Sequence, residues 1–69
     1  MKISARNVLK GRIASLKPGS VNSEVVIDLP GGQQLVAIVT KESAKKLKLK
    51  SGREAYAIVK ASNVMIGVD

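Results

Sequence analysis

Residues 21–29 alternate with a period of two: Val21, Ser23, Val25, Ile27 and Leu29 fall on one side, and Asn22, Glu24, Val26 and Asp28 on the other. Alternation over nine residues is the signature of a half-buried β-strand, because successive side chains of an extended chain point to opposite faces. Turn signals bracket it. Lys17-Pro18-Gly19-Ser20 reads as a type II turn, with Pro18 presetting φ and Gly19 supplying the positive φ at the second central position. Pro30-Gly31-Gly32 breaks the run on its other side and predicts a second hairpin. Residues 34–39, Gln-Leu-Val-Ala-Ile-Val, are then apolar on both faces and rich in β-branched side chains, as expected of a strand covered on both sides. A chain of 69 residues has little material for that cover, so a second subunit is expected to provide it.

The remaining segments extend the same pattern. Residues 1–7 form an extended lead-in, and residues 8–16 a strand in which Gly11 marks a bulge or bend. Thr40 is placed to cap a short helix running from Lys41 to about Leu47, with Glu42 in its first turn and lysines near its end, as the helix dipole favours. Ser51-Gly52 ends that segment. A fourth strand is predicted over 53–59, a polar interruption at 60–63, and a fifth strand over 64–68 at a sheet edge. Three strands, a short helix and two strands is the element order of the OB-fold, an all-β, five-stranded Greek-key barrel. An SH3-like barrel is the alternative. No linker or repeat divides the chain, and residues 1–69 are expected to form one domain.

Composition narrows the function. With no Cys and no His, thiolate metal sites, disulfides and imidazole chemistry are excluded. The carboxylates Glu24, Asp28, Glu42, Glu54 and Asp69 do not pair at a spacing suited to acid–base work, and no Walker-type phosphate loop is present. Catalysis is not expected. No stretch approaches the roughly 20 apolar residues of a membrane helix, and residues 1–6 lack the apolar run of a secretory signal, so a soluble cytoplasmic protein is expected. Twelve Lys and Arg against five Asp and Glu give a formal charge of +7, which favours an anionic partner. A basic OB-fold suggests nucleic acid. Against it, Tyr56 is the only aromatic side chain on which a base could stack, whereas single-strand binders rely on several. Lys41, Lys45, Lys46, Lys48 and Lys50 form a local concentration that reads as a solvated face.

Two polar tetrapeptides remain. Ser4-Ala5-Arg6-Asn7 and Lys60-Ala61-Ser62-Asn63 each contain one cation, one hydroxyl, one amide and a small residue. Each alone is an ordinary turn sequence. Together they are rich in donors, which suits a compact, multiply charged oxyanion. Ala5 and Ala61 would let such a guest approach the main chain. Sulfate, phosphate, molybdate and tungstate share the tetrahedral shape, and residue types do not separate them.

The combination of Ser4-Ala5-Arg6-Asn7, Leu9 and Gly11, Asn22, Glu24 and Val25, and Lys60-Ala61-Ser62 followed by Val64-Met65 resembles the Mop family of molybdate-binding proteins, the molbindins, over essentially the whole chain. The same module is known as the TOBE domain. The resemblance implies an OB-like fold and a homohexamer built as a trimer of dimers, with molybdate or tungstate held at subunit interfaces for intracellular molybdenum storage or homeostasis. It implies no cofactor and no directly coordinated metal. Carried onto this sequence, it assigns the oxyanion site to Ser4, Ala5, Arg6, Lys60, Ala61 and Ser62, and a second site to Gly19, Ser20, Val21 and Asn22. The two termini are expected to meet across an assembled boundary.

Overall fold

The computed structural model describes residues 1–69. Four strands form one antiparallel sheet in the order β3-β2-β1-β4: β1 (Asn7–Pro18), β2 (Asn22–Asp28), β3 (Gln34–Thr40) and β4 (Glu54–Val59). A short helix, α1 (Lys41–Lys46), joins β3 to β4, and a single 3-10 turn, Ala61–Asn63, follows β4. β1 serves two partners: its first half pairs with β4 (Asn7↔Val59 to Arg12↔Glu54) and its second half with β2 (Arg12↔Asp28 to Pro18↔Ser23). Such sharing curls a sheet towards a barrel. The register between β1 and β2 shifts between Ile13 and Ser15, so the irregularity expected at Gly11 lies further along the strand. Gly11 has a different role. A Cβ there would lie 2.5 Å from the Asp28 carbonyl oxygen and 2.7 Å from Ile27 Cγ2, so a side chain would prevent β1 from crossing this closely over the end of β2.

Both expected hairpins form. Gly32 N–H donates to the Leu29 carbonyl at 3.2 Å, with Pro30 and Gly31 between them and Gly31 at φ 95°, the geometry of a type II turn. The type II turn expected at residues 17–20 does not form. β1 continues through Pro18, Gly19 N–H donates to the Asn22 carbonyl at 2.7 Å, and Gly19 lacks a positive φ. The reversal is displaced to residues 19–22. Glycine is needed there because a Cβ would lie 2.6 Å from the Asn22 carbonyl oxygen.

The helix begins where its cap predicts, with the Thr40 hydroxyl accepting from Ser43 N–H at 3.0 Å. At its other end Lys48 N–H donates to the Lys45 carbonyl and Leu49 N–H to the Ala44 carbonyl, both at 3.0 Å, a complete Schellman motif. The left-handed position of that motif, usually glycine, is Lys48 at φ 54°. Arg53 holds it in place, its guanidinium donating to the carbonyls of Leu47 at 2.7 Å and Lys48 at 2.8 Å.

The fifth strand does not form: residues 64–69 carry no strand pairing, and Met65, Ile66 and Val68 are 92%, 89% and 92% exposed. The apolar pattern is present, but within one chain the segment pairs with neither free edge of the sheet, β3 nor β4. The core is correspondingly thin, centred on Ile13, Val25 and Ile27, with Ala44 as the buried residue of the helix. Val36 and Ile38, on the second apolar face of β3, are each 63% exposed, so one copy does not cover that strand on both sides. Between β3 and β4, the two edges of the sheet, runs an apolar cleft of ≈460 Å³ whose floor includes Ile13, Val25 and Ala57. It is lined by aliphatic side chains and Tyr56, with no charged group, and is a packing surface.

Candidate functional site

The pairing Asn7↔Val59 decides the position of the site. It joins the first residue of β1 to the last residue of β4, so in this antiparallel pair the segments 4–6 and 60–62 leave the sheet at the same end. They line one open cavity of ≈570 Å³, formed by Ser4, Ala5, Arg6, Ile58, Lys60, Ala61 and Ser62. Each of the six residues expected in the main site is there. They come together within a single chain, so the two ends of the sequence meet without a second copy. Asn7 and Asn63 complete the two tetrapeptides but do not line the cavity. Ile58 was missed by sequence reasoning. Its signal is period two, which places Ile58 on the same face of β4 as Lys60.

The cavity is a field of donors. Arg6 and Lys60 bring two positive charges, Ser4 and Ser62 two hydroxyls, and no carboxylate lines the wall. None of these four side chains takes part in an ion pair or a side-chain hydrogen bond within the chain. The 3-10 turn is closed by Asn63 N–H donating to the Lys60 carbonyl at 2.9 Å and Val64 N–H to the Ala61 carbonyl at 3.4 Å. The amides of Ala61 and Ser62 open that turn, and the i to i+3 pattern gives them no acceptor within it. Ala5 is half-buried against the wall, where a larger side chain would narrow the mouth. Fixed N–H and O–H groups beside two cations can replace the hydration shell of a small dianion.

The residues expected in a second site, Gly19, Ser20, Val21 and Asn22, form the β1–β2 turn at the far end of β1 and do not contribute to this cavity. The Val21 carbonyl accepts from Lys41 N–H at 2.8 Å, which ties the turn to the start of α1.

A curled sheet with its donor-lined cavity at the meeting of first and last strands defines a small OB-like binding module. The TOBE domain model matches residues 3–66, and the chain belongs to that family. Within it the chain resembles the Mop proteins: it is 54% identical over 69 residues, all of both chains, to a probable molybdenum-pterin-binding protein of Haemophilus influenzae. Among solved structures it superposes on MopII from Clostridium pasteurianum with a TM-score of 0.93 at 43% identity, covering 97% of this chain and 100% of that one. It also superposes on the cytoplasmic molybdate-binding protein ModG, solved with molybdate bound, with a TM-score of 0.95 at 45% identity, covering 100% of this chain and 49% of that one. No helix of the present chain is long and apolar enough to cross a membrane.

Proposed function

We propose that this protein binds molybdate, or the isostructural tungstate, in the cavity formed by Ser4, Ala5, Arg6, Lys60, Ala61 and Ser62, and that it acts in the cytoplasm in molybdenum storage or homeostasis. The observation that carries the reading is the convergence of both polar tetrapeptides on one cavity with free donors and no carboxylate. Membership of a family whose relatives are named for molybdate or molybdenum-pterin binding supports the choice of ligand. Arg6 and Lys60 neutralise the dianion, the serines and turn amides direct hydrogen bonds at its oxygens, and the oxyanion is held without direct ligation of the metal atom.

The working form is a homo-oligomer, with a hexamer arranged as a trimer of dimers as the specific reading. In support, the solvent-accessible area is 5688 Å², whereas a monomer of 7.3 kDa should expose about 4,200 Å². Exposed large apolar side chains include Val36, Ile38 and Ile58 in the cleft between β3 and β4 and Val64, Met65, Ile66 and Val68 in the tail. Each large aliphatic side chain of that tail contributes about 1.5–3 kcal/mol when fully buried. A tail from a second copy would supply the missing edge strand, and because it follows Ser62 closely, assembly would bring the second copy to the rim of the cavity. The turn at Gly19–Asn22 is the proposed second oxyanion site.

Titration calorimetry with molybdate, tungstate, sulfate and DNA tests the reading. Heat from molybdate and none from sulfate is expected, and Lys60→Ala should weaken the interaction by about tenfold or more while sedimentation shows an unchanged assembly. An unchanged affinity in Lys60→Ala would remove Lys60 from the site. Salt-sensitive DNA binding without molybdate heat would replace the oxyanion by nucleic acid.

A further inference from the structure

Ser23 breaks the rule of its own strand. It lies in phase with Val25 and Ile27 on the inward face of β2 and is 2% exposed, as buried as those two core residues. Yet its hydroxyl enters none of the chain's side-chain hydrogen bonds. No side-chain oxygen or nitrogen of the chain is both fully buried and unpartnered, so the Ser23 hydroxyl is not sealed into the core. The hydroxyl instead borders a small pocket of ≈170 Å³ between α1 and the strand ends. Lys41, Lys45 and Lys48 surround the same pocket, with Leu16 and Leu49 as apolar walls. No carboxylate lines it, and none of the three lysines forms an ion pair, since Glu42 is taken by Lys46 and Glu54 by Lys10.

Lys48 reinforces the reading. It occupies the left-handed position of the helix-ending motif, where glycine is favoured, and two hydrogen bonds from Arg53 fix the carbonyls of Leu47 and Lys48. Its side chain lines the same pocket as two further unpaired lysines and Ser23.

We infer that this pocket is a further anion site, separate from the corner cavity and from the β1–β2 turn, that binds a dianionic phosphoryl group. The three ammonium groups neutralise the charge, and Ser23 donates to the innermost oxygen. The size of the pocket admits one tetrahedral group, and the Leu16 and Leu49 walls can take a small organic substituent. Free phosphate and a phosphomonoester offer the same chemistry, and the measurement separates them.

The test uses the whole chain, with inorganic phosphate and glycerol 3-phosphate as probes, read by calorimetry and by the shift in melting temperature. Phosphate is measured in the Lys60→Ala background to silence the corner cavity. Binding is expected to persist there, and to weaken by about tenfold or more when Lys45→Gln and Lys48→Gln are added. Ser23→Ala should weaken it by several-fold while leaving the ligand-free melting temperature unchanged or higher, an outcome a purely structural serine would not give. Tighter binding of the ester places the organic part on Leu16 and Leu49, whereas equal or weaker binding assigns the pocket to the free ion. The inference is overturned if neither probe binds at tens of millimolar, or if phosphate binding follows Lys60 rather than Lys45 and Lys48.

Discussion

At Gly11 a single methyl group would collide with the Asp28 carbonyl, the Ile27 side chain and Leu29 Cδ2, the last at 3.2 Å. The first two of these contacts are too short for a side chain to relieve by rotating, because one partner is main chain and the other belongs to the core. Gly11→Ala is therefore expected to destabilise the fold by about 1–3 kcal/mol, measured as a lowered urea midpoint. Arg53 is the second position where one residue decides local structure. Its guanidinium Nη1 satisfies two carbonyls at the end of α1, so Arg53→Ala should lower stability by about 1.5–3 kcal/mol, measured by urea unfolding. The sequence reveals these two unequally. Gly11 is conspicuous inside an apolar run, although the reason is close approach and not the bulge it suggests. Arg53 is indistinguishable from any surface cation until the chain has folded around it.

Among the elements, those specified by neighbours in sequence are the ones the sequence predicts well. The alternation of residues 21–29 gives β2, Thr40 gives the start of α1, and Pro30-Gly31 gives a type II turn. Replacing Thr40 by Ala removes the acceptor for Ser43 N–H and should lower stability by about 0.5–2 kcal/mol, visible in thermal unfolding by circular dichroism. Two Pro-Gly pairs nevertheless behave differently. Pro18 stays in the strand and the reversal starts only at Gly19, because β1 continues pairing with β2 as far as Pro18↔Ser23 and a tertiary ladder outweighs a local turn preference. The strand expected at 64–68 illustrates the same limit in reverse: its pattern is correct, but a strand needs an edge, and no window of sequence states which edge or which copy provides it.

Taken whole, the molecule is under-folded for its length. Only five of 69 residues are buried, and the radius of gyration is 12.7 Å where a compact chain of this size has about 11 Å. A second copy that fills the cleft would correct both, so the melting temperature should rise with protein concentration. Removal of residues 64–69 should lower the melting temperature and shift sedimentation towards the monomer. A concentration-independent melting temperature with the monomer mass would reject the assembly. The candidate site was legible as two donor-rich tetrapeptides of matching inventory. Their meeting was expected across an assembled boundary; that they meet within one chain was not legible, since it depends on one long-range pairing, Asn7↔Val59, that neither end encodes.

That pairing also sets when the site can exist during the life of the chain. A ribosome that has released β1, β2 and β3 has made one jaw of a clasp and nothing to close against it. Only after β4 and the turn at Ala61–Asn63 have emerged can the two jaws meet, so on the proposed function a chain that lacks β4 binds no oxyanion. On the proposed function, an occupied clasp ties residues 4–6 to residues 60–62, and unravelling of either segment first releases the guest.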